Sequence, residues 1–272
     1  MVTGLAGLKS GKFSAQRHVH CPGYFMLGNK RWGCWKVEGH GSVSMAEALE
    51  QSCDTYFYTV AHEIGIDKLA AMAKEFGLGE LSGLGLKGEK PGIIPSPEWK
   101  EKARNAPWNP GETINAAIGQ GDVLTTPLQL AIMMARMVNG GKKIKPRLTA
   151  DEEPDEVGFI DIDRADLDVI MDGMTRVVNS PRGTAHASEI KEDAFRFGGK
   201  TGTSQVHRLT MHGQNQNLLP WHLRHHAWFG AFAPIADPRY VCAIIVEHGG
   251  GGASAAAPIA RDVMQKVQEW MA

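Results

Sequence analysis

Phe195-Arg196-Phe197-Gly198-Gly199-Lys200-Thr201-Gly202-Thr203-Ser204-Gln205-Val206 precedes two further extended stretches. These are His226-Ala227-Trp228-Phe229-Gly230-Ala231-Phe232-Ala233 and Tyr240-Val241-Cys242-Ala243-Ile244-Ile245-Val246-Glu247. Aromatic and β-branched residues favour strands, and Pro234-Ile235-Ala236-Asp237-Pro238 reads as the turn between the last two. The prediction is three strands, at Phe195–Val206, His226–Ala233 and Tyr240–Glu247.

Upstream the apolar residues follow a helical period instead. Residues 1–60 open with a short apolar segment and continue into an irregular Cys/His/Trp/Gly-rich stretch. Ser44-Met45-Ala46-Glu47 is a capping box that opens a helix. Asp67 is read as the cap of another, with Leu69, Met72, Ala73 and Phe76 on one face and Gly77 as its stop. Residues 78–124 are rich in Gly and Pro and read as a long loop over a site. Thr126-Pro127 starts a helix that Asn139-Gly140-Gly141 ends. A polar connection over 142–162 leads to a helix capped by Asp163, with Leu167, Ile170, Met171, Met174 and Val178 inward. A closing helix is expected from Pro258 to Met271, with Ile259, Val263, Val267 and Trp270 facing in. Helices, then hairpin-connected strands, then a final helix predict an α+β fold, an antiparallel sheet flanked by helices.

The 272 residues suffice for one large domain, read as residues 1–272. A net charge of -1 without a basic tract argues against nucleic-acid binding. No apolar run approaches the ~20 residues of a membrane span. Met1-Val2-Thr3-Gly4-Leu5 and its continuation lack the basic start and apolar stretch of a signal peptide, so no address is expected in this chain.

Lys200-Thr201-Gly202 carries the chemistry. A Lys and a hydroxyl on an edge strand can hold a carboxylate, while free backbone groups pair with a peptide. Gly within a strand suggests close approach of a ligand or another backbone. Alone the triplet is weak, since chance supplies Lys-[Ser/Thr]-Gly in roughly one such chain in ten. Its company is informative: Ser52-Cys53-Asp54 lies upstream and Gly119-Gln120-Gly121 between. The order resembles the penicillin-recognising serine acyl-transferases, with S-x-x-K, S-x-N and K-T-G. Glu50 to Tyr58, Ala117 to Gly121, Arg182-Gly183-Thr184-Ala185, Gly199 to Val206 and Tyr240 to Gly252 are similar to the penicillin-binding protein 2 branch, the class B D,D-transpeptidases of rod-shaped Gram-negative bacteria. The resemblance covers essentially the whole chain and implies a serine β-lactamase-like transpeptidase fold.

That resemblance implies roles. Lys200 and Thr201 would recognise the terminal carboxylate of a D-Ala-D-Ala stem peptide, and Gly202 would lie against the peptide. The Thr203 N–H would be one arm of the oxyanion hole, and its hydroxyl a second carboxylate contact. Ser52 would relay a proton to the leaving amine. Asp54, where the wider superfamily has Asn, would orient the stem peptide.

The family's nucleophile and base come from S-x-x-K upstream of Ser52. Ser10, Ser14, Ser42 and Ser44 lack a Lys three residues on, and Ser188-Glu189-Ile190-Lys191 stands in a polar connection behind Ser52. The opening residues resemble the helix that directly follows S-x-x-K. The expectation is a chain lacking the nucleophile, its Lys and two strands, inactive alone, with the strand from Tyr240 left as an exposed edge.

Cys21, Cys34, His40 and Cys53 are spaced C-x12-C-x5-H-x12-C. Three thiolates and an imidazole suit structural zinc in a closed tetrahedron. A Cys21–Cys34 disulfide and unlinked thiols stay open as alternatives. Cys242 reads as core, and His207, His212, His222, His225 and His226 read as surface or loop residues. Competing functions are a serine β-lactamase or carboxypeptidase, a non-catalytic module binding stem peptides or partners, and a zinc hydrolase, for which the Cys-rich set is too closed. The resemblance further implies β-lactam binding by the complete protein, a glycosyltransferase and elongation machinery as partners, and the periplasmic face of the inner membrane.

Overall fold

The structure is a computed structural model describing residues 1–151, 157–206 and 216–271. Helix α1 (Val2–Lys9) packs on α3 (Asp54–Ile64) and α4 (Ile66–Glu75). Its contact is close because Gly7 has no side chain: a Cβ there would lie 2.7 Å from Val60 Cγ1. Between them runs the Cys-rich stretch. It forms two small antiparallel ladders, β1 (Val19–Cys21) with β4 (Gly41–Val43) and β2 (Tyr24–Leu27) with β3 (Lys30–Gly33).

Helix α2 (Met45–Glu50) has the expected capping box, Ser44 with Glu47. Three residues separate it from α3, and in that break Ser52 takes φ +53°, a left-handed conformation uncommon outside Gly. Asp67 does not cap α4. Gly65 at φ +82° ends α3 and is the N-cap, because buried Ile66 already belongs to the helix. Asp67 still sits in the first turn, where a negative charge suits the helix dipole. Residues 78–124 are not all loop: α5 (Pro97–Arg104) is capped by Ser96, and α6 (Pro110–Ala116) has an Asn109/Glu112 capping box. Helices α7 (Pro127–Val138) and α8 (Arg164–Asn179) follow the predicted bounds.

The main sheet has the order β5–β6–β7, all antiparallel: β5 (Gly198–Ser204), β6 (His226–Ala233) and β7 (Tyr240–Val246). The ladder pairs Thr201 with Phe229, Thr203 with Ala227 and Ala231 with Cys242. The Gly residues of β5 admit the neighbouring strand, since a Cβ on Gly199 would lie 2.4 Å from the Gly230 carbonyl oxygen. Among the described residues β7 is an edge, as expected.

Helix α9 (Ala257–Met271) is rotated from its predicted face. Ile259 and Val263 are 44% and 43% exposed and Trp270 is 80% exposed, whereas Ala257, Ala260 and Met264 are buried. Small residues let the helix approach the sheet, so packing distance outranks side-chain hydrophobicity. Two apolar clusters result. One joins α1 to α4 with Leu167, Ile170 and Met174 of α8 and Phe232 of β6, and the other joins Val177 and Val178 to the sheet and α9.

Candidate functional site

The site lies where these clusters meet. From β5, Lys200 Nζ donates to Ser52 Oγ, 148 residues earlier in the chain, and to Thr201 Oγ1 at 3.2 Å. Ser52 Oγ lies 3.5 Å from the hydroxyls of Thr201 and Thr184, and those two are 3.2 Å apart. Burial pushes the Lys200 ammonium down to about 8, with Asp54 pulling the other way. Desolvation disfavours the charged form, so this Lys becomes neutral above about pH 8.

Thr184 is absent from the site inferred from sequence. It arrives on the turn after α8. Gly183 lets that turn tuck in, for a Cβ would lie 2.3 Å from the carbonyl oxygens of Arg176 and Val177. Glu50, buried at the end of α2, fixes the turn from the other side. Its Oε1 accepts from Ser180 Oγ at 2.5 Å, its carbonyl from the Thr184 N–H at 3.2 Å, and Arg182 Nη2 is 3.4 Å from Oε2.

Trp35 was missed as well. Its indole N–H donates to the carbonyls of Gln51 and Ser52, at 3.0 and 2.9 Å, bracing the left-handed turn. Its backbone N–H donates to Asp54 Oδ2 at 2.9 Å. Burial, then the neighbouring Cys34, pushes the Asp54 carboxyl up to about 7, against that hydrogen bond and Lys200. Asp54 thus influences Lys200 through charge, with one oxygen already engaged.

At the open edge of β5 the Thr203 carbonyl accepts from Gln120 Nε2 at 2.7 Å. N–H and C=O of one strand residue face the same side, so the Thr203 N–H faces that cleft too. On Gly202, a Cβ would approach Trp228 Cβ at 3.2 Å.

Cys21, Cys34, His40 and Cys53 meet behind this loop, their ligand atoms all within 4.8 Å of one another. Cys21 closes β1, Cys34 follows β3, His40 precedes β4, and Cys53 is the N-cap of α3. His40 Nδ1 lies 3.6 Å from Cys21 Sγ and 3.5 Å from Cys34 Sγ. Hydrogen bonding, first from Cys53 and also from His40, holds the Cys34 thiol down at about 3, and the same contact pushes Cys53 up.

His222 is exposed, as expected, whereas His225 and His226 have structural partners. His225 is buried and its Nδ1 accepts the Val206 N–H at 3.2 Å, while His226 Nδ1 accepts the His248 N–H at 3.0 Å. They tie strand ends together. His207 and His212 lie outside the described residues. Ser188 is buried and Lys191 pairs with Glu189, so this Ser-x-x-Lys forms no site.

The family model for the penicillin binding protein transpeptidase domain matches residues 1–265. A Haemophilus influenzae relative, peptidoglycan D,D-transpeptidase MrdA, is 41% identical over 256 residues, covering 89% of this chain and 39% of its own length. The chain therefore spans about two-fifths of that curated relative. The solved Pseudomonas aeruginosa PBP2 in complex with WCK 5153 superposes with a TM-score of 0.85 at 37% identity, over 98% of this chain and 59% of that one. The complex of Helicobacter pylori PBP2 with MreC gives 0.89 at 31% identity, over 99% and 48%.

Proposed function

The chain belongs to the penicillin binding protein transpeptidase domain family, and from that premise we propose that it forms the substrate-holding part of a peptidoglycan D,D-transpeptidase of the penicillin-binding protein 2 type. The observation that carries this is the contact of Lys200 Nζ with Ser52 Oγ, surrounded by the Thr184 and Thr201 hydroxyls at an open strand edge. A cation among hydroxyls beside free backbone groups suits a peptide that ends in a carboxylate.

In this mechanism Lys200 and Thr201 bind the terminal carboxylate of D-Ala-D-Ala. The scissile carbonyl then rests on the Thr203 N–H, which stabilises the oxyanion as the amide is attacked. The Thr203 hydroxyl adds a carboxylate contact, and Gly202 adds no side chain to the sheet face it shares with Trp228. A serine hydroxyl other than that of Ser52 attacks the carbonyl to form an acyl ester. As the C–N bond breaks, its proton is relayed through Ser52 Oγ to the departing D-Ala amine, while Lys200 stays protonated on the carboxylate. Asp54 orients the stem peptide with its remaining oxygen. The acyl group then passes to an amine of a second stem peptide. No Ser-x-x-Lys stands ahead of Ser52 in these 272 residues, and the roles proposed for this chain are binding, polarisation and proton transfer.

The Cys21/Cys34/His40/Cys53 cluster is proposed to bind structural zinc. Its donor set supports this: three sulfurs and one imidazole nitrogen from four separate segments lie within 4.8 Å of one another, and His40 Nδ1 faces two of the sulfurs. Zinc would cross-link the ladders to the N-cap of α3, holding Ser52 and Asp54 in register. A periplasmic setting and partners in the elongation machinery belong to the same proposal, supported by the solved complex of the Helicobacter pylori relative with MreC.

The test is an NMR titration of the chain with diacetyl-L-lysyl-D-alanyl-D-alanine. Lys200→Ala should weaken binding about tenfold or more, the worth of a charge-assisted hydrogen bond. Wild-type affinity should fall as pH rises through about 8, where the ammonium is lost. Equal binding by wild type and Lys200→Ala would sink the proposal.

A further inference from the structure

One edge of β5 pairs with β6, and among the described residues the other pairs with no strand. On the open side the Thr203 carbonyl is already taken by Gln120 Nε2, at 2.7 Å. Gln120 stands at the tip of a defined turn. Gly119 and Gly121 both have φ +75°, and the Gln120 N–H is anchored to the Asn115 carbonyl at 3.0 Å. Such a turn aims the side chain at β5 from outside the sheet.

In an antiparallel pairing, two facing residues exchange both of their backbone bonds. A peptide laid antiparallel on β5 with one carbonyl on the Thr203 N–H brings the N–H of that same residue to the Thr203 carbonyl. Gln120 occupies that position. We propose that Gln120 is a gate on the open edge of β5: its side-chain amide must leave the Thr203 carbonyl before an extended peptide can add as a strand. Binding then swaps one N–H donor for another at Thr203, and the released amide turns to water. The gate rests on the reading of this edge as the stem-peptide site. On the D-Ala-D-Ala ligand, the donor that displaces Gln120 is the N–H of the penultimate residue. Residues along the edge without a donor in that register gain nothing from opening it, so Gln120 also selects register.

The experiment is the titration of the 272-residue chain with diacetyl-L-lysyl-D-alanyl-D-alanine, comparing wild type with Gln120→Ala. Removing the competing donor should tighten binding about fivefold, the net worth of one hydrogen bond. Gln120→Met, which keeps chain length without a donor, should match it, and melting curves verify that both variants are folded. In wild type, the side-chain amide signal that vanishes in Gln120→Ala should shift toward that of a solvated amide as peptide saturates. Wild-type binding with no gain in either variant, or with that amide signal unmoved, overturns the gate alone. Absence of binding in wild type and variants alike overturns both the gate and the peptide-site reading.

Discussion

Replacing Trp35 with Phe separates the brace on Ser52 from everything else that residue does. Phe retains an aromatic ring against His40, whose ring centroid lies 5.5 Å away, and retains the backbone N–H on Asp54. What disappears is one indole N–H shared by the Gln51 and Ser52 carbonyls. A typical intramolecular hydrogen bond is worth about 1 kcal/mol net. Trp35 is 52% exposed, so water can reach one of the orphaned carbonyls and the cost should stay near that figure. The left-handed turn at Ser52 carries strain of about 1–2 kcal/mol for a non-Gly residue. Without its brace Ser52 relaxes toward negative φ and draws Oγ away from Lys200. Trp35→Phe should therefore lose about 1 kcal/mol in urea unfolding and about fivefold in affinity for diacetyl-L-lysyl-D-alanyl-D-alanine. Full affinity alongside reduced stability would refute the link between the indole and Ser52. Unchanged values in both assays would refute the brace itself.

Purified chain should carry one equivalent of zinc by elemental analysis, and a chelator should lower its melting temperature; less than half an equivalent after mild purification counts against the site. Gly252→Ala should disturb β5, because the added Cβ falls 2.4 Å from the Trp228 carbonyl oxygen and 2.6 Å from that of Gly202; with backbone on both sides the cost should be about 1–3 kcal/mol by denaturant unfolding, and an unchanged midpoint would contradict the packing. Fluorescent penicillin should leave no label that survives denaturation on the 272-residue chain, which has no Ser-x-x-Lys ahead of Ser52. A labelled band would show that another residue attacks.

Local chemistry was legible where local physics decides. The aromatic residues of β6 and the apolar run of β7 marked those strands nearly to the residue, and Ser44/Glu47 marked α2. The same signals stood unread at Ser96-Pro97 and at Asn109-Pro110 with Glu112, because surrounding Gly and Pro suggested loop. The orientation of α9 depended on what it packs against, and its Ala residues outcompeted larger ones. In the candidate site Ser52, Lys200 and Thr201 converge as expected. Thr184, Trp35, Gln120 and Glu50 act through contacts distant in sequence. Arg182-Gly183-Thr184 was visible as a motif, but its hydroxyl's neighbours depend on tertiary packing. Trp35 had one clue, its place directly after Cys34.

Helix α8 belongs to both apolar clusters, giving Leu167, Ile170 and Met174 to one and Val177 and Val178 to the other. Ser52 lies beside the first cluster and Lys200 on the sheet that anchors the second, and Phe232 of β6 packs into the first, so their contact ties together two regions that already share α8 and β6. Local loosening around this contact needs no strand or helix to melt, yet it ends ligand recognition. Warming should therefore abolish peptide binding before circular dichroism registers unfolding. Conversely, a molecule that grips both Ser52 and Lys200 binds only the closed arrangement, and its affinity becomes mechanical cohesion for the chain.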